Sequence, residues 1–391
     1  VALYDGTNYY RVYVEISSTI SFSSYKQIAT ADVRSINIRR GRSREDQAIQ
    51  PGNCTIVLDN YSGIYDPDTT SVPTSSLYVG SNGRSIIARN YWIRIRCVLD
   101  YVNDETIFMG KIETVAMDVE FDQTVTINAT DSAAFMSRSV YPGRTTLDYG
   151  HVRAGNILDN YGWPTTISGK NYRNLYVSSY GMDHQGSKSH LDALEEVIAS
   201  EGGIFFISKD AVATTYNYDN LYNPTYWYTL DDQRTAGTIE YDSIDISNGD
   251  LYIYNQVILK YGADGSHSYT ADANASGQQT QYGVFTKTVN GCGYYGSSST
   301  YNYSFIASHL AYQNSIPKPR IIKLGYSMLG LSTSLQYAVL NQDIADQVTA
   351  NRTLVDGRSF SQNLNINQIA YDITPEDWRV TIDTYPSATQ P

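Results

Sequence analysis

The residues of this 391-residue chain best suited to metal binding or proton transfer are five histidines, His151, His184, His190, His267 and His309. They are scattered, and none has the close pairing that a zinc site shows. Three cysteines, Cys54, Cys97 and Cys292, cannot form a closed set of disulfides. Cys54 and Cys97 fall in apolar strand patterns that suit small buried side chains. Asp59, Ser62, Asp66 and Asp68 could offer oxygens to calcium, but their spacing is not that of an EF-hand loop, and Asp66-Pro67-Asp68 is ordinary turn chemistry. Glycoside hydrolysis needs two carboxylates flanking a bond, and 40 acidic residues offer many pairs without selecting one. No Gly-x-Ser-x-Gly elbow follows a strand, so Ser-His-Asp chemistry has no anchor. The sequence therefore assigns no catalytic, cofactor-binding or metal-ligating residue, and the chain reads as a non-enzyme with no cofactor.

Two clusters remain that could bind rather than react. Arg39–Arg44, RRGRSR, gathers positive charge in a connection between strands. The whole chain has 28 Lys and Arg against 40 Asp and Glu, a net charge of −12. Gripping nucleic acid through its phosphates needs clustered positive charge on a larger scale. The arginines are better suited to a carboxylate-rich neighbour, or to solvent. Tyr222–Tyr228, YNPTYWY, could stack on sugars, although sheet or interface packing is the commoner explanation. Tyrosine is in large excess, 36 against 9 phenylalanines. Its apolar ring and polar tip fit half-buried strand faces and wet interfaces. No run of about 18 apolar residues suggests a membrane-spanning helix. The opening VALYDGTNYY has neither the basic region nor the apolar core of a signal peptide.

The elements that would position such residues are mostly strands. Ile36 and Ile38 alternate with Asn37 and Arg39, Thr55–Leu58 is a short apolar run, and Ile93, Ile95 and Cys97 alternate with Arg94 and Arg96. Val125, Ile127 and Ala129 close the set. This period of two predicts an antiparallel sheet or barrel buried on one face. Between Ala154 and Ile207 the pattern changes. AGNILDNYGWP reads as a short helix ending at Gly162. SHLDALEEVIASEGGIFFIS reads as a helix capped by Ser189, with a stripe of Leu191, Leu194, Val197 and Ile198, stopped by Gly202-Gly203 and followed by the strand Ile204–Ile207. β character returns near Ile239, with YIYNQVILKYGA as its best strand. Ala271–Ser299 reads as a long loop, and Tyr303–Gln313 as a helix stopping before Pro317. Strands around Asp346–Asn351 and Ile366–Asp372 lead to Trp378, Val380 and Ile382, which alternate with polar residues.

Several segments, taken in order, resemble the minor tail proteins of long-tailed bacteriophages, specifically the tail-hub group related to the baseplate hub of contractile tails. They are VRSINIRRGRSREDQAIQPGNCTIVLDNYSGIYDP, VTINATDSAAFM, ILDNYGWP, LDALEEVIASEGGIFFIS, YNQVILKY, the helix before IPKPR, and NQIAYDITPEDWRVTID. Each is a structural signature; their succession over nearly the whole chain is what resembles the family. The chain departs from it at Lys209-Asp210-Ala211, which replaces a glycine turn, and in heavier Tyr-rich segments near 216–228 and 281–303.

The resemblance implies a mainly β fold with a small α+β middle region. Residues 1–140 would form a first tail-tube-like β-barrel, 145–235 a middle α+β domain, and 239–391 a second barrel with an inserted helix and long loop. It implies a structural virion protein at the distal end of the tail, a homotrimer whose six barrels adapt a six-fold tube to a three-fold tip. Implied partners are the distal tail protein or tail tube, a tail fibre or spike, the tape-measure protein, and DNA passing without specific binding. A hexameric distal tail protein and a receptor- or glycan-binding tip protein are the alternatives.

Overall fold

The computed structural model describes residues 2–4, 9–17, 24–44, 48–67, 78, 85–99, 103–118, 123–143, 148–163, 170–172, 179–180, 188–200, 202–216, 221, 224–233, 235–247, 253–261, 267–273, 277–292, 304, 306–308, 310–311, 315, 319–354 and 356–387. The fold is mainly β. The first segment supplies β1 (Ala2–Tyr4), β2 (Tyr9–Ser17), β3 (Tyr25–Gln27), β4 (Val33–Gly41), β5 (Gln50–Asp59), β6 (Trp92–Leu99), β7 (Asn103–Asp118) and β8 (Thr124–Thr130). They pair in the order β1-β2-β6-β7-β8-β5-β4. The predicted alternation is realised: Ile36, Ile38, Cys54, Ile56, Leu58, Ile93, Ile95, Cys97, Val125, Ile127 and Ala129 are all buried.

In the middle region, α1 (Ser132–Met136) precedes short strands β9 (Val140–Tyr141) and β10 (Asp148–Tyr149) and the longer α2 (Gly150–Tyr161). After β11 (Lys170–Tyr172), β12 (Ser179–Tyr180) and β13 (Lys188–Ser189) come α3 (His190–Ser200), β14 (Ile204–Ile207) and β15 (Ala213–Tyr216). Both long helices end as their glycines require. Gly162 (φ 77°) and Gly202 (φ 62°) take the left-handed conformation. The next residues, Trp163 and Gly203, donate to the carbonyls of Leu158 at 2.9 Å and Ile198 at 3.1 Å, closing each helix with a Schellman pair. The Ser189 Oγ accepts from Asp192 N at 3.0 Å, the cap expected of it. Leu191, Leu194, Val197 and Ile198 are buried against α1, α2 and β14. β14 is covered on both faces: Phe205 and Ile207 join this helical core, whereas Ile204 and Phe206 join the core of the large sheet. A continuous apolar run with no polar alternation is what such a position demands.

The last segment returns to the large sheet. It contains β16 (Tyr226–Asp231), β17 (Ile239–Glu240), β18 (Ser243–Ser247), β19 (Gln256–Tyr261), β20 (His267–Asp272), β21 (Thr286–Cys292), β22 (Arg320–Ser327), β23 (Gln347–Thr353), β24 (Ser359–Ile373) and β25 (Trp378–Pro386). β24 is bonded to β23, β25 and, through Gln368–Ile373, to β4 of the first segment. That last pairing joins the two β segments into a single sheet, of 15 strands among the described residues, with one continuous core. The join needs Gly41 (φ 111°), where a Cβ would stand 2.1 Å from the Asn367 carbonyl oxygen. Trp378 is fully buried within the chain, edge-on to Tyr10 of β2 at 6.2 Å and to Tyr371 of β24 at 6.1 Å. It is a core residue, not an interface one.

Four expectations need correction. Arg39–Gly41 is the end of β4 rather than a loop. β16, from the expected middle region, is bonded in parallel to β23 in the large sheet. Ala271–Ser299 is not a plain loop: it holds the end of β20, the helix Gln278–Tyr282, and β21. YNQVILKY, taken as the best strand of a second barrel, forms β19 in a separate sheet ordered β20-β19-β21, with its own small core that includes Val257, Leu259, Ile306 and Ala311. In addition, Thr333–Asn341 forms a helix that the strand reading passed over.

Candidate functional site

The three regions meet at a cluster of buried charge. Its centre is the turn between β14 and β15. The buried Lys209 sends its Nζ to the Leu340 carbonyl at 2.7 Å, Asn341 Oδ1 at 3.3 Å and Glu105 Oε2 at 3.2 Å. One ammonium thereby closes the C-terminus of the Thr333–Asn341 helix, where carbonyls lack partners, and pairs with a carboxylate of β7. The Lys209 amide also donates to Asp343 Oδ2 at 3.2 Å. From the first segment, Arg40 is 3% exposed and places Nη1 2.9 Å from Asp343 Oδ1 and 3.5 Å from the Ile207 carbonyl. Its Nε and Nη2 are buried without a partner among the described residues. Asp346 accepts from Trp227 Nε1 at 2.6 Å and from the Asp343 amide at 2.7 Å. Burial pushes the Asp346 carboxyl up to about 7 and raises that of Asp210 as well.

Beside this cluster lies a layer of buried tyrosines. The Tyr228 and Tyr326 hydroxyls are 2.5 Å apart, Tyr228 donates to Gln342, and Tyr371 donates to the Val339 carbonyl at 3.2 Å. Part of the tyrosine excess thus lies inside the chain's own core, fixing the segment after the helix against β16, β22 and β24.

The side chains singled out in the sequence fall elsewhere, with one exception. Arg40 enters the junction, but Arg39 is exposed and Arg42 binds Asn367 Oδ1 at 3.1 Å. Asp59 is paired with Arg34, and Asp68 lies outside the described residues. Of YNPTYWY, Trp227 and Tyr228 are committed to Asp346 and the buried tyrosine layer, and Tyr226 is exposed. Cys54 and Cys97 are free and buried, and burial raises both thiols far above their ordinary range. His151 is exposed, while His184 and His309 lie outside the described residues. Among the described residues, no three His, Cys, Asp or Glu side chains form a metal-binding group.

His190 has the most catalytic-looking surroundings. Its Nδ1 is 2.8 Å from Ser139 Oγ and its Nε2 2.9 Å from Asn160 Oδ1. The ring is 4% exposed, lies edge-on to Tyr141 and Tyr161, and is held below its ordinary pKa by burial. The Ser139 hydroxyl also reaches the Met136 carbonyl at 2.9 Å. These contacts tie the end of α1, the end of α2 and the start of α3 together, which is a structural use of histidine.

No protein-family model matches the chain, and neither does any curated protein. Solved structures do. A tail protein from Neisseria meningitidis superposes with a TM-score of 0.62 at 12% identity, covering 96% of each chain. A prophage tail protein from Shewanella oneidensis gives 0.59 at 10% identity, covering 96% of this chain and 98% of that one. A prophage tail protein from Listeria monocytogenes gives 0.53 at 8% identity, covering 96% and 95%. At such identities the likeness concerns architecture, and it runs from one end of the chain to the other. The chain has the fold of phage tail proteins.

Proposed function

We propose that the protein is a structural component of a phage tail, carried in the virion, and within the tail a hub. The observation that carries the reading is the end-to-end fold likeness to three tail proteins. For the hub we infer two tube-like β segments, residues 1–140 and 239–391, around a middle region, 145–235, with α1 packed on the middle region's core, β16 added to the large sheet and β19–β21 forming a sheet of their own. A homotrimer would then present six β segments to a six-fold tube or distal tail protein and a three-fold face to a fibre or spike. The β4–β24 pairing supports this, because it makes the two segments of one protomer neighbours in one sheet, as alternating members of a ring would be.

The hub would enclose the channel for passing DNA, with the tape-measure protein as its other expected neighbour. Phosphates are gripped by clustered Lys and Arg. Beside the join, on β5, β8 and β7, polar positions are neutral: Thr55 donates to Asn128 Oδ1 at 2.9 Å and Asn128 to Thr114 Oγ1 at 3.1 Å; at the join itself Asn37 donates to Asp372, next to the exposed Arg39. Such a surface, on a chain of net charge −12, lets a polyanion slide. The role is architectural, with no catalytic step assigned to it.

The test is a reconstruction of tails containing the tagged protein, with native mass spectrometry of the purified chain. Three copies around an open channel are expected. Six copies would indicate a distal tail ring, and a protein absent from the tail would overturn the reading.

A further inference from the structure

The buried junction has more negative than positive charge. Its cations are Arg40 from β4 and Lys209 from the β14–β15 turn. Its carboxylates are Glu105 from β7, Asp210 from the same turn, and Asp343 and Asp346 from the segment after the Thr333–Asn341 helix. Two cations and four carboxylates leave a net charge of −2 when all are ionised, and neutrality needs two protons. We propose that this junction is a proton-operated latch: protonated, it holds the middle-region turn between the first β segment and the Thr333–Asn341 helix, and as protons leave, the turn and the helix loosen from one another.

Geometry identifies the groups that take the protons. Lys209 is closest to Glu105, and Arg40 to Asp343, so each cation already has a carboxylate. Asp346 faces the neutral Trp227 indole and Tyr228 phenol from β16, Asp343 from its own segment and Lys209 from the turn. Asp210 faces Lys209, Asp343, Arg40 and the Thr106 hydroxyl of β7. Tyr371 of β24 and the buried Asp131 complete the surroundings of Arg40; Asp131, also raised to about 7 by burial, accepts from the Gly52 and Ala133 amides at 2.7 and 2.9 Å and stands outside the four carboxylates counted. Each unmatched carboxylate has a like charge nearby and cations that other carboxylates hold. The shifts follow the same direction, since burial raises both carboxyls, Asp346 to about 7. A carboxyl whose pKa is higher in the closed state favours closure below its ordinary pKa, and that contribution is lost as pH rises through the raised value. The latch is therefore closed in acid and near neutrality and weakens above about pH 7.

The experiment is hydrogen exchange of the full chain between pH 6 and 8.5, corrected for the intrinsic rate and read on peptides covering 208–212 and 333–341. Protection of both should fall as pH rises above about 7, by up to about tenfold per pH unit for each proton released per opening. Asp346→Asn keeps the acceptor for Trp227 and the Asp343 amide and should flatten the profile at wild-type protection or better. Should that variant fold poorly, Asp210→Asn should reduce the slope instead. Protection in the wild type that does not change with pH would overturn the latch, as would an Asp346→Asn profile as steep as the wild type's.

Discussion

The chain ties its parts together in two places by opposite means. At the apolar seam, Tyr10, Tyr371 and Trp378 pack edge to face inside the core that β2, β24 and β25 share. At the polar junction, Lys209, Arg40, Glu105, Asp343 and Asp346 bridge three regions through charge and hydrogen bonds. Apolar packing has no orientation to enforce and stabilises in proportion to the area covered. Buried charge recovers its desolvation cost only in one geometry, and it makes that geometry exclusive. The seam should therefore carry stability, and the junction should fix how the middle turn sits between its neighbours. Even the seam is not wholly apolar, because the Trp378 Nε1–H is buried without a partner among the described residues.

The largest effect should come from emptying the seam. Trp378→Ala removes a fully buried indole and should cost roughly 3–5 kcal/mol. Because Tyr10 and Trp378 come from opposite ends of the chain, urea unfolding followed by circular dichroism should show both β segments shifting together. Trp378→Phe keeps a ring, discards the unpartnered N–H and should cost less than half as much. If only the last segment unfolded early, the shared core would be the wrong description.

Leu194→Ala tests the middle region in the same currency. Leu194 is fully buried in the helical core, and its truncation should cost roughly 2–5 kcal/mol. Exchange protection should fall first in α2 and α3, with the large sheet following only through β14, whose Ile204 and Phe206 belong to the other core. A variant with unchanged stability and assembly would mean that the helix packs on nothing.

The junction should respond more weakly but more specifically. Lys209→Met keeps most of the stem and deletes the charge, leaving the Leu340 carbonyl and Glu105 without their donor. Breaking a fully buried pair costs roughly 3–5 kcal/mol. Glu105 is 21% exposed and can recover some water, so about 1–3 kcal/mol is expected. The loss should centre on 333–341 and 208–212 in hydrogen exchange and leave β2 and β25 protected. Uniform loss across the sheet would make the junction one more part of the core and remove the contrast with the seam.

The two places differ also in how far the sequence discloses them. The seam's strands are written as alternation, with Trp378, Val380 and Ile382 on one face, and all three are buried. The middle helices are written as caps, stripes and glycine stops. The junction was hidden because Arg39–Arg44 looks like a solvated basic loop. Yet Arg40 stands in phase with Ile36 and Ile38, and that alternation carries it inward while Arg39 stays exposed. The helix Thr333–Asn341 escaped because its inward side is mixed: Gln336 is fully buried beside Val339 and Leu340 and bonds to the Tyr10 hydroxyl and the Leu331 carbonyl. In β21 the apolar pattern reduces to Val289, so Thr286–Cys292 shows no period to read. Contacts between distant segments, such as Lys209 with Leu340, leave no local trace at all.

The smallest predicted effect lies in the β14–β15 turn that carries Lys209. Where a glycine would be expected, Ala211 adopts φ 58°, with its amide donating to the Ser208 carbonyl at 3.0 Å and Ser208 N–H returning to the Val212 carbonyl at 2.9 Å. The left-handed conformation costs a non-glycine residue roughly 1–2 kcal/mol. The Ala211 methyl is fully buried in the helical core, and covering it stabilises by about 0.8 kcal/mol. Glycine also brings extra freedom to the unfolded chain, worth about 0.4–1 kcal/mol against it. The terms nearly cancel, so Ala211→Gly should change stability by less than about 1 kcal/mol. Its informative readout is local. A turn held by the junction should keep its exchange protection at 208–212 in the glycine variant, because Lys209 and Asp343 anchor it from outside. A turn held by its own backbone should loosen there, and that result would move the source of its order from the charge cluster to the hairpin itself.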